Sequence, residues 1–89
     1  MWQHFVKDNV VSERPCVLHQ VVVTPKETKY GDVTLYDGLN INGRKIAKLV
    51  SPTTTTRAFN FPTGIPCSEG LYLDVGGDVI GVLVVWDHA

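Results

Sequence analysis

The chain carries few charges of either sign and has no long apolar run. Eight Lys and Arg nearly balance nine Asp and Glu, which leaves a formal net charge of -1. Without a positive surplus the chain lacks the attraction that nucleic acids and anionic membranes require, so we expect neither as a partner. The longest apolar segment, residues 79–86, is too short to cross a bilayer, and no basic stretch leads into an apolar run near the first residue. We therefore expect a soluble, unprocessed chain.

Cysteine and histidine are scarce. Cys16 and Cys67 lie far apart and show no CxxC spacing, so they form either one disulfide or two separate thiols. In a domain without a secretory signal, reduced and buried thiols are the expected state. The three histidines, His4, His19 and His88, have no zinc-ligand spacing with either cysteine. We expect no metal site and no cofactor.

No combination of side chains predicts catalysis. Cys16 and His19 are close in sequence, but their odd separation places them on opposite faces of a regular strand. The pair Gly76–Gly77 opens no helix and therefore lacks the helix N-terminus that binds phosphate. A calcium site built from Asp74 and Asp78 would need a third acid that this loop does not contain. We expect a protein that is not an enzyme.

The 89 residues predict one all-β domain. Hydrophobic residues make up 44% of the chain and charged residues 19%, which is apolar enough for a packed core. No window has helical periodicity over ten residues, so we expect no helix longer than one turn. Short apolar runs bounded by Gly, Pro, Asn and Asp predict seven strands and a possible short eighth, at residues 3–7, 16–24, 32–37, 44–50, 56–61, 70–75 and 79–86, with the short one at 10–12. Seven to eight antiparallel strands predict a small two-layer β-sandwich, jelly-roll-like or Ig-like.

Turn residues predict how these strands are connected. Asp-Gly and Asn-Gly pairs within residues 37–43 predict a hairpin or one short loop. Gly76-Gly77-Asp78 predicts a second hairpin, between the strands at 70–75 and 79–86. The Thr-rich tract at 51–56 is expected to cross between sheets or to run along an edge. Two prolines in residues 61–66 predict an ordered loop, because proline donates no ladder hydrogen bond.

Alternation along the strands predicts which side chains face the core. Val33, Leu35, Leu71 and Leu73 are expected to point inward. Tyr36 and Tyr72 are expected to point outward, where they could form one exposed patch for a protein or a glycan. Residues 21–23 and 82–86 are apolar on both faces. Either a loop covers their outer face or that face meets another chain.

The first fourteen residues differ from the remainder, which we expect to form the sandwich domain at residues 15–89. Residues 1–14 combine large apolar side chains with charged ones and end at Pro15. They predict an edge strand of the same sandwich or an arm exchanged with a neighbouring subunit, and an arm could be removed without unfolding the sandwich. A domain this small gains stability from self-association, so we expect an assembly. The candidate protein-contact residues are Trp2, Phe5, Val10 and Val11 in this segment, the two tyrosines Tyr36 and Tyr72, and Trp86, for which a core role is equally compatible.

A series of turn and core signatures spans residues 31–86. It comprises Val33-Thr34-Leu35-Tyr36-Asp37-Gly38, then Gly43, Ile46-Ala47 and Leu49, then Phe59-Asn60-Phe61-Pro62 with Gly64-Ile65, then Gly70-Leu71-Tyr72-Leu73-Asp74-Val75 and a closing Val-rich strand. In this series the chain resembles the small all-β virion proteins of tailed bacteriophages.

The resemblance implies a non-enzymatic structural role. Chains of this group include decoration or cement proteins, which bind the major capsid protein on the outer capsid surface, commonly as homotrimers, after synthesis in the host cytoplasm. Many copies of a modest contact can hold coat subunits together, because avidity replaces affinity at each site. A phage tail, adaptor or fibre accessory protein is an alternative within the group. The exposed tyrosines leave a third class open, a carbohydrate-binding β-sandwich module.

Overall fold

The computed structural model describes residues 1–53 and 55–89, and this part of the chain holds eight β-strands and no helix. The strands are β1 (Trp2–Phe5), β2 (Asn9–Ser12), β3 (Cys16–Pro25), β4 (Gly31–Asp37), β5 (Arg44–Ser51), β6 (Arg57–Cys67), β7 (Leu71–Val75) and β8 (Val79–His88). The all-β prediction is confirmed, and most strand boundaries lie within two residues of those predicted.

The described strands form two antiparallel sheets of four strands each. The first sheet has the order β1-β8-β3-β6 and the second the order β2-β7-β4-β5. The four pairs β1/β8, β2/β7, β3/β6 and β4/β5 are nested, as in a long hairpin that has been wound into two layers. This nesting is the jelly-roll arrangement and differs from the strand order of an Ig domain. The predicted β-sandwich is therefore confirmed.

The core lies between the sheets and is built from alternate residues of the central strands. Val33, Leu35, Leu71 and Leu73 all have 0% of their surface exposed, as the alternation predicts. Inward-facing residues of β3 and β8, such as Val21 and Val84, meet them from the other layer and are equally buried. Burial of these side chains is the main favourable contribution to folding.

The connection Gly76-Gly77-Asp78 is not a hairpin, contrary to the prediction. It links β7 to β8, which belong to different sheets, because β7 pairs with β2 and β4 whereas β8 pairs with β1 and β3. The Gly76 N–H donates a hydrogen bond to the Asp32 carbonyl at 2.9 Å, and a Cβ at position 76 would lie 2.8 Å from the same carbonyl oxygen. Position 76 requires glycine because its backbone lies directly against Asp32 of β4. This requirement depends on the packing of the two strands and cannot be read from the turn residues alone.

Residues 61–66 belong to a strand and not to a loop, which corrects a second prediction. Strand β6 continues through both prolines to Cys67. It is an edge strand, where a missing backbone donor costs little. On either side of an irregularity in the ladder, Gln20 of β3 pairs with Asn60 and Leu18 pairs with Ile65. Residues 61–64 of β6 therefore lie opposite a single residue of β3 and bulge out of the ladder. The loop prediction was wrong because proline excludes a segment from a central strand but not from an edge strand, and the edge position of β6 cannot be read from the local sequence.

Two other connections follow the predictions. Residues 37–43 join β4 to β5, whose ladder begins at the pair Asp37 and Arg44. The Thr-rich tract leads from β5 in the second sheet to β6 in the first and thus crosses between sheets; Thr54 within it lies outside the described residues.

Residues 1–14 supply one edge strand to each sheet. Strand β1 pairs with β8 at the edge of the first sheet, and β2 pairs with β7 at the edge of the second. Phe5 is 4% exposed and Val11 is 9% exposed, so both belong to the core. The segment is therefore part of the sandwich in this structure.

Candidate functional site

The outer face of the first sheet carries an apolar strip across all four strands. Because Val21, Val23, Val82 and Val84 face the core, their neighbours on the same strands point outward. The strip consists of Trp2, Val85, Leu83, Val22 and Ala58.

Strand register brings the members of the apolar strip together. Trp2 is the direct partner of Val85, and Val22 is the direct partner of both Leu83 and Ala58. Val22, Leu83 and Val85 are half-buried, whereas Trp2 is 69% exposed, so no loop of the described chain seals this face. Trp2, Leu83 and Val85 also line a shallow groove together with Met1. The strip therefore offers an apolar surface with a mostly exposed indole at one end, and it is bordered by the polar side chains of His4 and Gln20, the direct partners of Leu83 and Val85.

The outer face of the second sheet carries two adjacent tyrosines. Tyr36 on β4 and Tyr72 on β7 are direct cross-strand partners, and their ring centroids lie 6.3 Å apart with an interplanar angle of 51°. We call them the tyrosine pair. Val10 lies beside Tyr72 and Lys45 beside Tyr36, which gives the pair one apolar and one cationic neighbour. Both rings are half-buried, so this surface is partly available to a ligand.

Three carboxylates continue this face beyond the tyrosine pair. Asp74 lies opposite Thr34 in the ladder, and burial, together with the negative charges of Asp8 and Asp32, raises the pKa of Asp74. The Asp8 carboxylate accepts a hydrogen bond from the Val75 N–H at 2.7 Å. Burial and the charges of Asp8 and Asp74 likewise raise the pKa of Tyr72. Acidic side chains therefore cluster around Asp74 at this end of the second sheet, with Lys48 as the neighbouring cation, 3.8 Å from Asp32, whereas the members of the apolar strip are uncharged.

We expect Asp74→Asn to stabilise the protein at pH 7 by about 0.2–1 kcal/mol, the range for relieving like charges across a sheet. Because folding raises the pKa of Asp74, this group favours the fold only while it is protonated, and that contribution is lost as the pH rises through its folded pKa. Asparagine stays neutral, so the gain in melting temperature should appear at pH 7 and disappear near pH 3. Asp78→Asn removes the same charge from the exposed β7–β8 connection and serves as the control. Equal gains from both variants would contradict the assignment to Asp74.

The structure separates the remaining candidate contact residues into surface and core. Phe5, Val11 and Trp86 are buried at 4%, 9% and 6% exposure, which removes them from the contact surface of this chain. Trp2 and Val10 lie on outer faces, where alternation from their buried neighbours places them. Sequence reasoning missed that Val85 is the strand partner of Trp2 and that Leu83 lines the same groove. The signal for them was the apolar character of both faces of β8, but the partner strand is a long-range property.

Histidine, cysteine and acidic side chains form no metal cluster in the described residues, and Cys16 and His19 do not pair with each other. In residues 1–53 and 55–89, no group of three or more His, Cys, Asp or Glu is placed to hold a metal ion. Cys16 is buried opposite Cys67, whereas Nε2 of His19 lies 3.2 Å from Oδ2 of Asp87, so the thiol and the imidazole have different partners. A membrane-spanning helix is likewise not found in the described part of the chain.

Comparison with known proteins finds no matching family model, no matching curated protein and no matching solved structure. The apolar strip and the tyrosine pair are therefore the observations from which a function can be proposed.

Proposed function

We propose that this chain is a non-enzymatic structural virion protein, a capsid decoration protein that binds the outer capsid surface through the apolar strip. The exposed indole of Trp2 beside Leu83 and Val85 is the observation that carries the proposal. Exposed contiguous apolar surface is characteristic of contact sites. Tryptophan is among the residues that contribute most to binding when they are buried at a protein interface.

The fold and the charge agree with this role. Jelly rolls are common in viral capsid proteins and in lectins, although a fold alone does not determine a function. A formal net charge of -1 gives no general attraction to nucleic acid, which favours a protein partner. The proposed partners are the major capsid protein and further copies of this chain in a homotrimer. Three strips on one trimer would bind a capsid lattice more tightly than one strip, by avidity.

The first experiment is quantitative mass spectrometry of purified virions, with the copy number of this chain expressed relative to the major coat protein. A ratio close to that of the coat would support decoration of the capsid lattice. A few copies per particle would instead indicate a tail, adaptor or fibre accessory protein. Complete absence would discard the virion role.

Rebinding of the purified protein to particles that lack it tests the surface itself. We expect Trp2→Ala to weaken capsid binding by about 30-fold, the equivalent of roughly 2 kcal/mol for a tryptophan that is buried when the interface forms. Ile80→Ala, which trims another exposed apolar side chain (56% exposed) outside the strip, is the matched control and should bind like the unaltered protein. Equal affinities for both variants would show that the strip is not the contact surface.

A carbohydrate-binding module is the second candidate, and the tyrosine pair is the observation that favours it. Aromatic rings can stack on sugar faces, while Asp74 and Lys45 beside them could hydrogen-bond hydroxyl groups. Saturable glycan binding that is lost in Tyr72→Ala but retained in Trp2→Ala would replace the capsid proposal with this one.

A further inference from the structure

The two cysteines face each other inside the sandwich. Cys16 begins β3, Cys67 ends β6, and the two are direct cross-strand partners in the antiparallel ladder. Their side chains are 0% and 1% exposed, and both thiols are free. We call them the cysteine pair. Residues 51 positions apart in the chain are thus held side by side by the register of one strand pair.

The backbone geometry of this pair is compatible with a disulfide. Direct partners in an antiparallel ladder have Cα atoms about 4.5–5.5 Å apart, within the roughly 4.4–6.8 Å that disulfides span. Both side chains point into the core, and the two thiols are within hydrogen-bonding reach of each other. The Cys67 thiol also donates a hydrogen bond to the Ile65 carbonyl, at 3.6 Å. A bond between the two sulfurs therefore requires no change of strand pairing.

We propose that Cys16 and Cys67 are an oxidation site that closes to an intramolecular disulfide when a low-molecular-weight disulfide such as oxidised glutathione is present. The thiolate of one cysteine attacks a glutathione sulfur, the S–S bond of glutathione breaks, and one glutathione thiolate leaves. The second cysteine then attacks the protein sulfur of this mixed disulfide and releases the other glutathione. The cysteine pair loses two protons and two electrons in total, and oxidised glutathione is reduced to two thiols.

Burial determines when this reaction can occur. Burial raises the pKa of Cys67 to about 12, and it also raises the pKa of Cys16. Only thiolates attack disulfides, so the closed sandwich reacts slowly at neutral pH. Cys67, however, ends an edge strand and is followed by the exposed residues Ser68 and Glu69. Hydrogen bonds to the Asp37 carboxylate, from the Ser68 and Glu69 N–H groups and the Ser68 hydroxyl, have to break for this end to open. Oxidation is therefore expected during folding, or when the end of β6 opens locally, and not by direct attack on the packed core.

The disulfide would fix the edge of the first sheet. It would tie β6 to the central strand β3 and close a loop that contains most of the chain. Long closed loops lose the most conformational freedom in the unfolded state, so the stabilisation should be large. The proposal concerns the stability of the sandwich and holds whether or not the virion role is correct.

The test is refolding of the full chain from denaturant, once with a reducing agent and once in a mixture of oxidised and reduced glutathione. After alkylation of free thiols, we expect the glutathione sample to be an unalkylated monomer that lacks two hydrogens, with one crosslink between the peptides that contain Cys16 and Cys67. Its melting temperature should rise by roughly 10 °C or more and return to the reduced value after treatment with dithiothreitol.

Several results would overturn the proposal. Full alkylation of both cysteines in the glutathione sample, a persistent glutathione adduct, or crosslinks between chains would each show that the pair does not close. An oxidised monomer with an unchanged or lower melting temperature would reject the stabilising role. Cys67→Ala is the control and should gain no stability from glutathione. The mass and peptide measurements on the unaltered chain remain decisive even if that variant folds poorly.

Discussion

A chain that lacks residues 1–14 is expected to be largely unfolded at 25 °C. The deletion removes β1 and β2 and with them Phe5 and Val11, whose side chains complete the core. Loss of a buried Phe costs about 3–5 kcal/mol and loss of a buried Val about 1.5–3 kcal/mol. The sum approaches the total stability of about 5–15 kcal/mol that a domain usually has. Far-ultraviolet circular dichroism and amide chemical-shift dispersion would measure the loss of the β-sandwich.

The single substitution Trp2→Ala provides the control for this deletion. It trims a side chain that is 69% exposed and leaves the backbone pairing of Trp2 with Val85 in place, so its cost should stay within about 0.5 kcal/mol. Loss of capsid binding in Trp2→Ala can then be assigned to the surface, whereas the same loss in the deletion cannot. A truncated chain with the melting temperature of the full chain would contradict the built-in role of β1 and β2. Such a result would favour the detachable arm that the sequence alone leaves open.

The sequence could predict which side chains of a strand face the core, because the orientation of side chains along a strand is a local property. Successive side chains of a strand point to opposite faces, so Leu71 and Leu73 had to share a face and Tyr72 had to lie on the other. The pairing of strands is not local. The glycines at 76 and 77 fit a tight hairpin as well as a crossover between layers, and the choice depends on the partners that β7 and β8 find elsewhere.

The candidate surface was predictable only in part, for the same reason. The apolar character of both faces of residues 82–86 indicated that something should contact the outer side of that strand. The pairing of Trp2 with Val85, and of Val22 with Leu83, depends on contacts between strands that are far apart in the chain. The adjacency of Cys16 and Cys67 is equally non-local. The sequence shows which residues are apolar or are cysteines, but the register of the strands determines which of them are neighbours.

Leu73→Ala is expected to lower the free energy of unfolding by about 2–5 kcal/mol, the range for a buried Leu that leaves a cavity. Leu73 lies on the inner face of β7, opposite Leu35 on β4, and both side chains are 0% exposed. In a domain of 89 residues, each kcal/mol lowers the melting temperature by roughly 4–8 °C, so a fall of about 10 °C or more should be measured. In chemical denaturation, a lower midpoint with an unchanged dependence of the unfolding free energy on denaturant concentration would show that the native state has lost stability and that the unfolded state is unaltered.

Tyr72→Ala is the matched control because it removes a large side chain from the adjacent position on the same strand. Tyr72 lies on the outer face and is only half-buried, so its removal leaves no cavity in the core and should cost less than Leu73→Ala. Its contact with the Tyr36 ring, with centroids 6.3 Å apart, contributes about 0.5–1.5 kcal/mol beyond the buried area. A slip of β7 by one residue would bring Tyr72 into the core and Leu73 to the surface, and the order of the two losses would reverse. The comparison therefore tests the register of the second sheet and, with it, the placement of the tyrosine pair on a surface where a ligand can reach it.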